Sequence, residues 1–282
     1  MATPATPSTC FHHTDRETGR ACTRCGRPAC PECLIQASVG SQCFECVKAD
    51  RPPRSARVNA MLGRSEPYVT YALIAVTAIA YLVITMHDAG ISTFEARIGA
   101  RTRWQDQLAL FGPAVNDGDY YRLLSHSLVH YGILHIAFNM FILWQVGKLL
   151  EPAAGHLRYF LLYIVSVLGG ACGALILDPH ALTGGASGGV FGLMAAATLV
   201  LTRQGMSFAQ TGFGPLLVLN LFLGFFISNV SIGGHIGGLV AGALATEALL
   251  QSRQAGKPQF GIVGVCAVGA AAVIGGLIAA GQ

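Results

Sequence analysis

The sequence predicts an all-α polytopic membrane protein of seven spans, preceded by a small cysteine-rich domain. Three observations carry that expectation. Only 11% of the 282 residues are charged and 52% are hydrophobic, against roughly 25% charged in an ordinary soluble domain. The apolar residues gather in runs long enough to cross a bilayer. Seven of the nine cysteines fall between Cys10 and Cys46, whereas Cys172 and Cys266 stand singly in apolar stretches and read as small buried apolar residues. No apolar core follows Met1 that would serve as a secretory signal, so insertion is expected to begin further along the chain.

The first domain, residues 1–50, holds four pairs of two-residue spacing: Cys10 with His13, Cys22 with Cys25, Cys30 with Cys33, and Cys43 with Cys46. Each such pair can clamp one side of a tetrahedral ion, and eight ligands suit two structural zinc ions. Disulfides are the rival reading, but a segment on the cytoplasmic side is kept reduced and an imidazole has no place in a disulfide. Spacing leaves open which pairs join, and His12 competes with His13. Closed sites of this kind leave no position for water or substrate. With so few apolar side chains, the domain is expected to fold only with metal. Residues 51–67 follow as a basic linker containing much of the net charge of +4. Beside a span, that charge reads as positive-inside and not as a nucleic-acid surface.

A bilayer core about 30 Å thick needs about 20 mostly apolar residues as helix. Seven segments qualify: Tyr68 to Met86, Tyr131 to Leu150, Leu157 to Leu177, Ser187 to Leu201, Gly214 to Ser228, Gly234 to Leu250, and Phe260 to Ala280. Several reach that length only with their polar ends included. Lys and Arg in the loops put the N-terminus in the cytoplasm and the C-terminus outside a cell membrane. The loop from His87 to Tyr120 is then external despite Arg97, Arg101 and Arg103, and is expected to be folded and partly embedded.

Polar groups inside spans are costly and functional by default. His135 and Asn139 stand four apart and share a helix face. Ser187 opens the fourth span in a run of glycines, and His235 opens the sixth in another. Glycines spaced by four, Gly185 with Gly189 and Gly234 with Gly238 and Gly242, would let the two helices approach closely and bring Ser187 to His235. A hydroxyl becomes a nucleophile once a neighbouring base takes its proton, which a neutral imidazole can do. The oxyanion formed on a peptide carbonyl needs prepared donors, for which His135, Asn139 and the Ser187 backbone N–H are the candidates. No intramembrane carboxylate lies where it could orient His235, so a Ser-His dyad is expected. His126 and His130 are read as structural or cavity-lining.

These motifs, Arg122 with His126, His130, His135 and Asn139, then Gly185 to Gly188, then Gly234 to Gly238, resemble those of the rhomboid family over roughly Tyr68 to Leu250. The resemblance implies a rhomboid six-helix core over residues 68–251, with residues 252–282 as a seventh transmembrane helix and C-terminus. It implies an intramembrane serine endopeptidase with Ser187 as nucleophile, His235 as general base and acid, and His135 with Asn139 as oxyanion hole. Single-span transmembrane proteins would be the substrates, with no cofactor for catalysis, and the fifth span would be the substrate gate. Two positions depart from the family pattern: Tyr121-Arg122 replaces its Trp-Arg, and Phe191 stands for the Tyr that packs under the catalytic His. The cysteine domain resembles B-box-like cross-brace zinc fingers, which implies joining the first pair to the third and the second to the fourth, with a cytoplasmic protein partner as its ligand.

A catalytically silent rhomboid-like adaptor that binds membrane-protein clients is the main rival. A transporter would show an inverted repeat, and none is found. A transcription factor is disfavoured by tethering to the membrane.

Overall fold

The computed structural model describes residues 8–37, 39–49, 65–86, 102–224 and 231–282. The basic stretch 51–64, the loop residues 87–101 and the end of the fifth span up to Ser228 lie outside the described residues. The chain divides into two units, Met1–Asn59 and Ala60–Gln282.

In the first unit, β1 (Ser8–Thr9) pairs antiparallel with β2 (Glu17–Thr18). A hairpin joins β3 (Leu34–Gln36) to β4 (Ser41–Cys43) and leads into α1 (Phe44–Ala49). Gly40 turns the hairpin at φ +71°, and a Cβ there would lie 2.4 Å from Thr23 Cγ2. Among the described residues the buried cluster contains Cys10, Ala29, Cys30 and Cys33, with Phe11 and Leu34 against it. That is too little apolar surface to hold some 40 residues together without another source of free energy.

The second unit is helical: α2 (Tyr68–Met86), the short α3 (Arg103–Leu108), α4 (Gly112–Asn116) and α5 (Arg122–Ser125), then α6 (Ile133–Ala154), α7 (His156–Leu177), α8 (Ser187–Arg203), α9 (Phe213–Gly224), α10 (Ile232–Gln254) and α11 (Pro258–Ala280). Among the described residues, α2, α6, α7, α10 and α11 are long and apolar enough to cross a membrane, and α8 and α9 are shorter apolar helices. The expected external loop is folded where it is described, into α3 and α4. Gln105 and Thr102 form a reciprocal capping box that starts α3, which satisfies two backbone donors otherwise left without partners.

Glycine sets the geometry of the centre, where α7 packs against α8, α10 and α11. A Cβ on Gly238 would come within 2.1 Å of the Gly188 carbonyl, one on Gly242 within 2.4 Å of Gly192 Cα, and one on Gly237 within 2.2 Å of the Gly169 carbonyl. The α8 stripe facing α10 is therefore Gly188 and Gly192, and not the expected Gly185 and Gly189. Gly189 is turned one step around the helix to face Tyr163 of α7, and Gly185 precedes the helix at φ +143°. Residues one apart on a helix lie about 100° apart, so a register error of one residue moved the assignment to the neighbouring face.

At the far end, Glu151 of α6 is fully buried. It accepts from the N–H groups of Val69 (2.7 Å) and Thr70 (2.8 Å) and from Thr70 Oγ1 (2.6 Å), and it pairs with His156 Nδ1 (2.6 Å). A carboxylate on the free N–H groups of a first helical turn meets both their hydrogen-bonding need and the positive end of the helix dipole.

Candidate active site and metal centres

Ser187 is the first residue of α8, a helix of 17 residues. At 1.5 Å per residue that is about 25 Å, shorter than the ~30 Å apolar core, and a stretch of non-helical backbone precedes Ser187. Such backbone is tolerated at membrane depth only if its polar groups find partners or face water. Here they find partners. Thr183 and Leu110 exchange both N–H to carbonyl bonds, at 2.8 and 2.9 Å. The Gly185 N–H donates to the His126 carbonyl at 2.8 Å, and the Ala186 N–H donates to His130 Nε2 at 3.3 Å.

The same contacts fix the histidine tautomers. His130 Nδ1 lies 3.3 Å from the Leu128 carbonyl and must carry the proton there, leaving Nε2 as acceptor. His126 Nδ1 donates to the Arg122 carbonyl at 3.0 Å. Both rings are buried, and Gln105 holds the His130 carbonyl from the other side at 3.0 Å. The two residues read as structural thus brace the two peptide units directly before Ser187. Arg122 is also buried. Its Nη1 donates to the carbonyls of Asp106 and Ala109, both at 2.8 Å, and its Nε donates to Asp119 at 2.9 Å.

His235 Nε2 and Ser187 Oγ are 3.0 Å apart. His235 lies in the first turn of α10, which Ser231 caps by accepting the Gly234 N–H at 3.1 Å. Its ring stacks on Phe191, with centroids 4.1 Å apart and planes 14° from parallel, so the ring alone supplies the packing surface expected at that position. His235 Nδ1 is buried with no hydrogen-bond partner among the described residues. His135 borders the same space: a Cβ on Gly185 would lie 3.0 Å from His135 Nε2 and 3.7 Å from Ser187 Oγ. Asn139 is one turn further down α6, buried, and one of its amide hydrogens goes to the His135 carbonyl at 2.9 Å. One N–H of that amide remains for another acceptor. At the head of α8 the first backbone N–H groups have no intrahelical acceptor and carry the positive end of the helix dipole, which favours negative charge beside Ser187.

In the first unit the eight predicted ligands separate into two groups. Cys10, His13, Cys30 and Cys33 form one, and Cys22, Cys25, Cys43 and Cys46 the other, with the ligand atoms of each group within 4.8 Å of one another. This is the first-with-third, second-with-fourth pairing that the resemblance implied. The donor set fits zinc. A tetrahedral ion with bonds near 2.3 Å to sulfur and 2.0–2.1 Å to nitrogen has S···S edges of about 3.8 Å and S···N edges of about 3.6 Å. Cys25 and Cys43 Sγ are 3.8 Å apart, and His13 Nδ1 lies 3.3, 3.4 and 4.0 Å from the sulfurs of Cys33, Cys30 and Cys10. The Cys43 N–H donates to Cys22 Sγ at 3.2 Å. This bond and that from Cys25 hold the Cys22 thiol down at about 6, favouring the thiolate a metal needs. His12 points elsewhere, its ring tilted at 41° against Phe11 and 3.8 Å from Glu45.

Sequence reasoning missed the Leu110 to Thr183 pairing, the bracing of Gly185 and Ala186, and Glu151. Backbone pairing between loops leaves no residue-type signal. A lone carboxylate near the end of an apolar run did offer one for Glu151.

Residues 117–252 match the family model described as Rhomboid domain. The chain is 30% identical over 212 residues to rhomboid protease GluP of Bacillus subtilis, which covers 73% of this chain and 38% of that protein. It is 30% identical over 191 residues to rhomboid protease GlpG of an Enterobacter species, 65% of each chain. It is also 34% identical over 145 residues to inactive rhomboid-related protein 2 of Caenorhabditis elegans, 47% of this chain and 41% of that one. In each case the chain spans less than two thirds of the relative's length. Residues 117–252 thus carry a Rhomboid domain, and the chain is similar to rhomboid proteases as well as to a relative named inactive.

Proposed function

We propose that the protein is an intramembrane serine endopeptidase working through a Ser187–His235 dyad on single-span membrane-protein substrates. The observation that carries this reading is the 3.0 Å contact between His235 Nε2 and Ser187 Oγ, on helices whose glycines let their backbones meet. In the reaction, Ser187 Oγ attacks the scissile carbonyl carbon while His235 Nε2 takes its proton. The oxyanion is received by the Ser187 N–H, His135 Nε2–H and the remaining amide hydrogen of Asn139. His235 then returns the proton to the leaving amine, and water repeats the sequence on the acyl-enzyme. His135 must carry its proton on Nε2 for this role. Phe191 and the approach of α8 to α10 hold His235 in line without a third residue. The substrate is a helix that unwinds near its outer end, entering beside α9.

The N-terminal unit holds two structural zinc ions, one on Cys10, His13, Cys30 and Cys33 and one on Cys22, Cys25, Cys43 and Cys46. It lies on the cytoplasmic face of the cell membrane and serves a protein partner.

The test is labelling of the detergent-solubilised protein by a fluorophosphonate probe. Wild type is expected to label, and Ser187→Ala and His235→Ala to lose labelling. A silent adaptor is the second reading, favoured by the similarity to a relative named inactive. Folded wild-type protein that fails to label would establish it in place of the protease.

A further inference from the structure

The seventh helix lies outside the matched rhomboid domain, as does Leu110. Most of α11 presents apolar side chains outward: Phe260, Val263, Ile274 and Ile278 are all exposed. One face of its last two turns differs. Ala279 and Ala280 are 3% and 6% exposed and belong to one buried cluster with Leu110, Val115 and Leu123. These three come from the loop segment that carries α4 and α5. Gly276 meets the same cluster, where a Cβ would lie 3.6 to 3.7 Å from Cys172 Cα, Leu123 Cδ2 and Leu175 Cδ1.

The contacts continue toward Ser187 without a break. Leu110, 1% exposed, exchanges two backbone hydrogen bonds with Thr183. One residue beyond Phe111, the Gly112 N–H donates to the Pro179 carbonyl at 2.7 Å, so closely that a Cβ on Gly112 would fall 2.6 Å from that oxygen. The segment 179–183 is therefore tied to 110–112 at both ends, and it runs through Gly184 to Ala186 directly into Ser187. Packed interiors transmit displacement because they have few voids to absorb it.

We propose that the end of α11 is a positioning element for the nucleophile loop: Gly276, Ala279 and Ala280 back the buried cluster that holds Leu110, and Leu110 sets the height of Thr183 and hence of Ser187. The inference rests on the protease reading for its activity consequence, although the physical coupling does not. A displacement of about 1 Å at a reacting group can lower the rate by about 100-fold, so a small wedge under Leu110 should be felt at Ser187. Gly276→Ala fits at ordinary contact distance and is expected to behave as wild type. Gly276→Leu and Ala280→Trp insert bulk into the buried cluster. Val263→Trp, on an exposed part of the same helix, controls for a general disturbance of α11.

The experiment measures three quantities on each full-length variant in detergent: the melting temperature, the rate of fluorophosphonate labelling, and hydrogen exchange of the peptide covering 179–187. The expected result is labelling slowed by about 10- to 100-fold in Gly276→Leu and Ala280→Trp, with faster exchange at 179–187, a melting transition lowered but still cooperative, and no change in Gly276→Ala or Val263→Trp. Unchanged exchange at 179–187 in both wedge variants would overturn the coupling, as would the same losses in Val263→Trp. If wild type itself does not label, the protease reading has failed, and the exchange measurement still decides whether the end of α11 controls this loop.

Discussion

Arg27 touches the surroundings of both metal clusters. Its Nε donates to Cys25 Sγ at 3.4 Å, it pairs with Glu45 beside Cys46, and its guanidinium lies 4.4 Å over the ring of Phe11 beside Cys10. A hydrogen bond to a ligating thiolate draws off charge that would otherwise invite a proton or an oxidant, and Cys25 is the exposed member of its proposed zinc site. Outer-sphere partners of this kind are typically worth about 10- to 100-fold in metal affinity. Arg27→Ala should therefore speed zinc loss from the Cys22 site by that order while the Cys10 site changes less, as followed with a chromogenic chelator. Arg27→Lys should rescue it only in part, because the planar fork that stacks and donates together is lost. Phe191 supports His235 comparably in the membrane unit. Phe191→Ala should slow fluorophosphonate labelling by about tenfold by freeing the ring, whereas Phe191→Tyr keeps the stacked surface and should label near the wild-type rate.

Among the elements, α8 and α10 meet at backbone contact, which makes their crossing sensitive to a single methyl group. Gly242→Ala should cost about 1–3 kcal/mol by overpacking and, by spreading the helices, reduce labelling of Ser187. Denaturant titration of the purified protein and the labelling assay check the two effects separately. The helices were legible in the sequence because hydropathy reports burial in lipid directly: Tyr68 to Met86 was read with its observed ends, and α7 was missed by one residue at its start. The glycine face of α8 was misread because Gly185, Gly188, Gly189 and Gly192 are all candidates, and sequence spacing does not reveal that Gly185 stands before the helix. Ser187, His235, His135 and Asn139 were legible as ionisable or polar residues where lipid should be. The bracing of Gly185 and Ala186 was not, because its acceptors and donors are mostly backbone groups, which every sequence possesses.

At the scale of the whole molecule, two stabilising principles operate side by side. The described residues of the N-terminal unit form almost no core, so under the two-zinc proposal its stability comes from the ligand clusters, while the membrane unit has a continuous apolar interior through α6, α7, α8 and α10. Chelation should therefore release close to two zinc ions per chain and unfold residues 8–49, with the helical signal of the membrane unit retained in circular dichroism. The pairing of the metal ligands was not legible from spacing, since both sequential and crossed pairings satisfy two-residue intervals; it took β3 and β4 folding back to bring Cys43 to Cys22.

The buried carboxylate of α6 sets a waiting time during synthesis. The amides of Val69 and Thr70 depend on Glu151, which lies 82 and 81 residues further along the chain. At roughly 5–20 residues per second, the ribosome needs on the order of 4 to 16 seconds to deliver it. During that interval the start of the first span must rely on interfacial water, so α2 enters the bilayer unlatched and is fastened only when the end of α6 emerges.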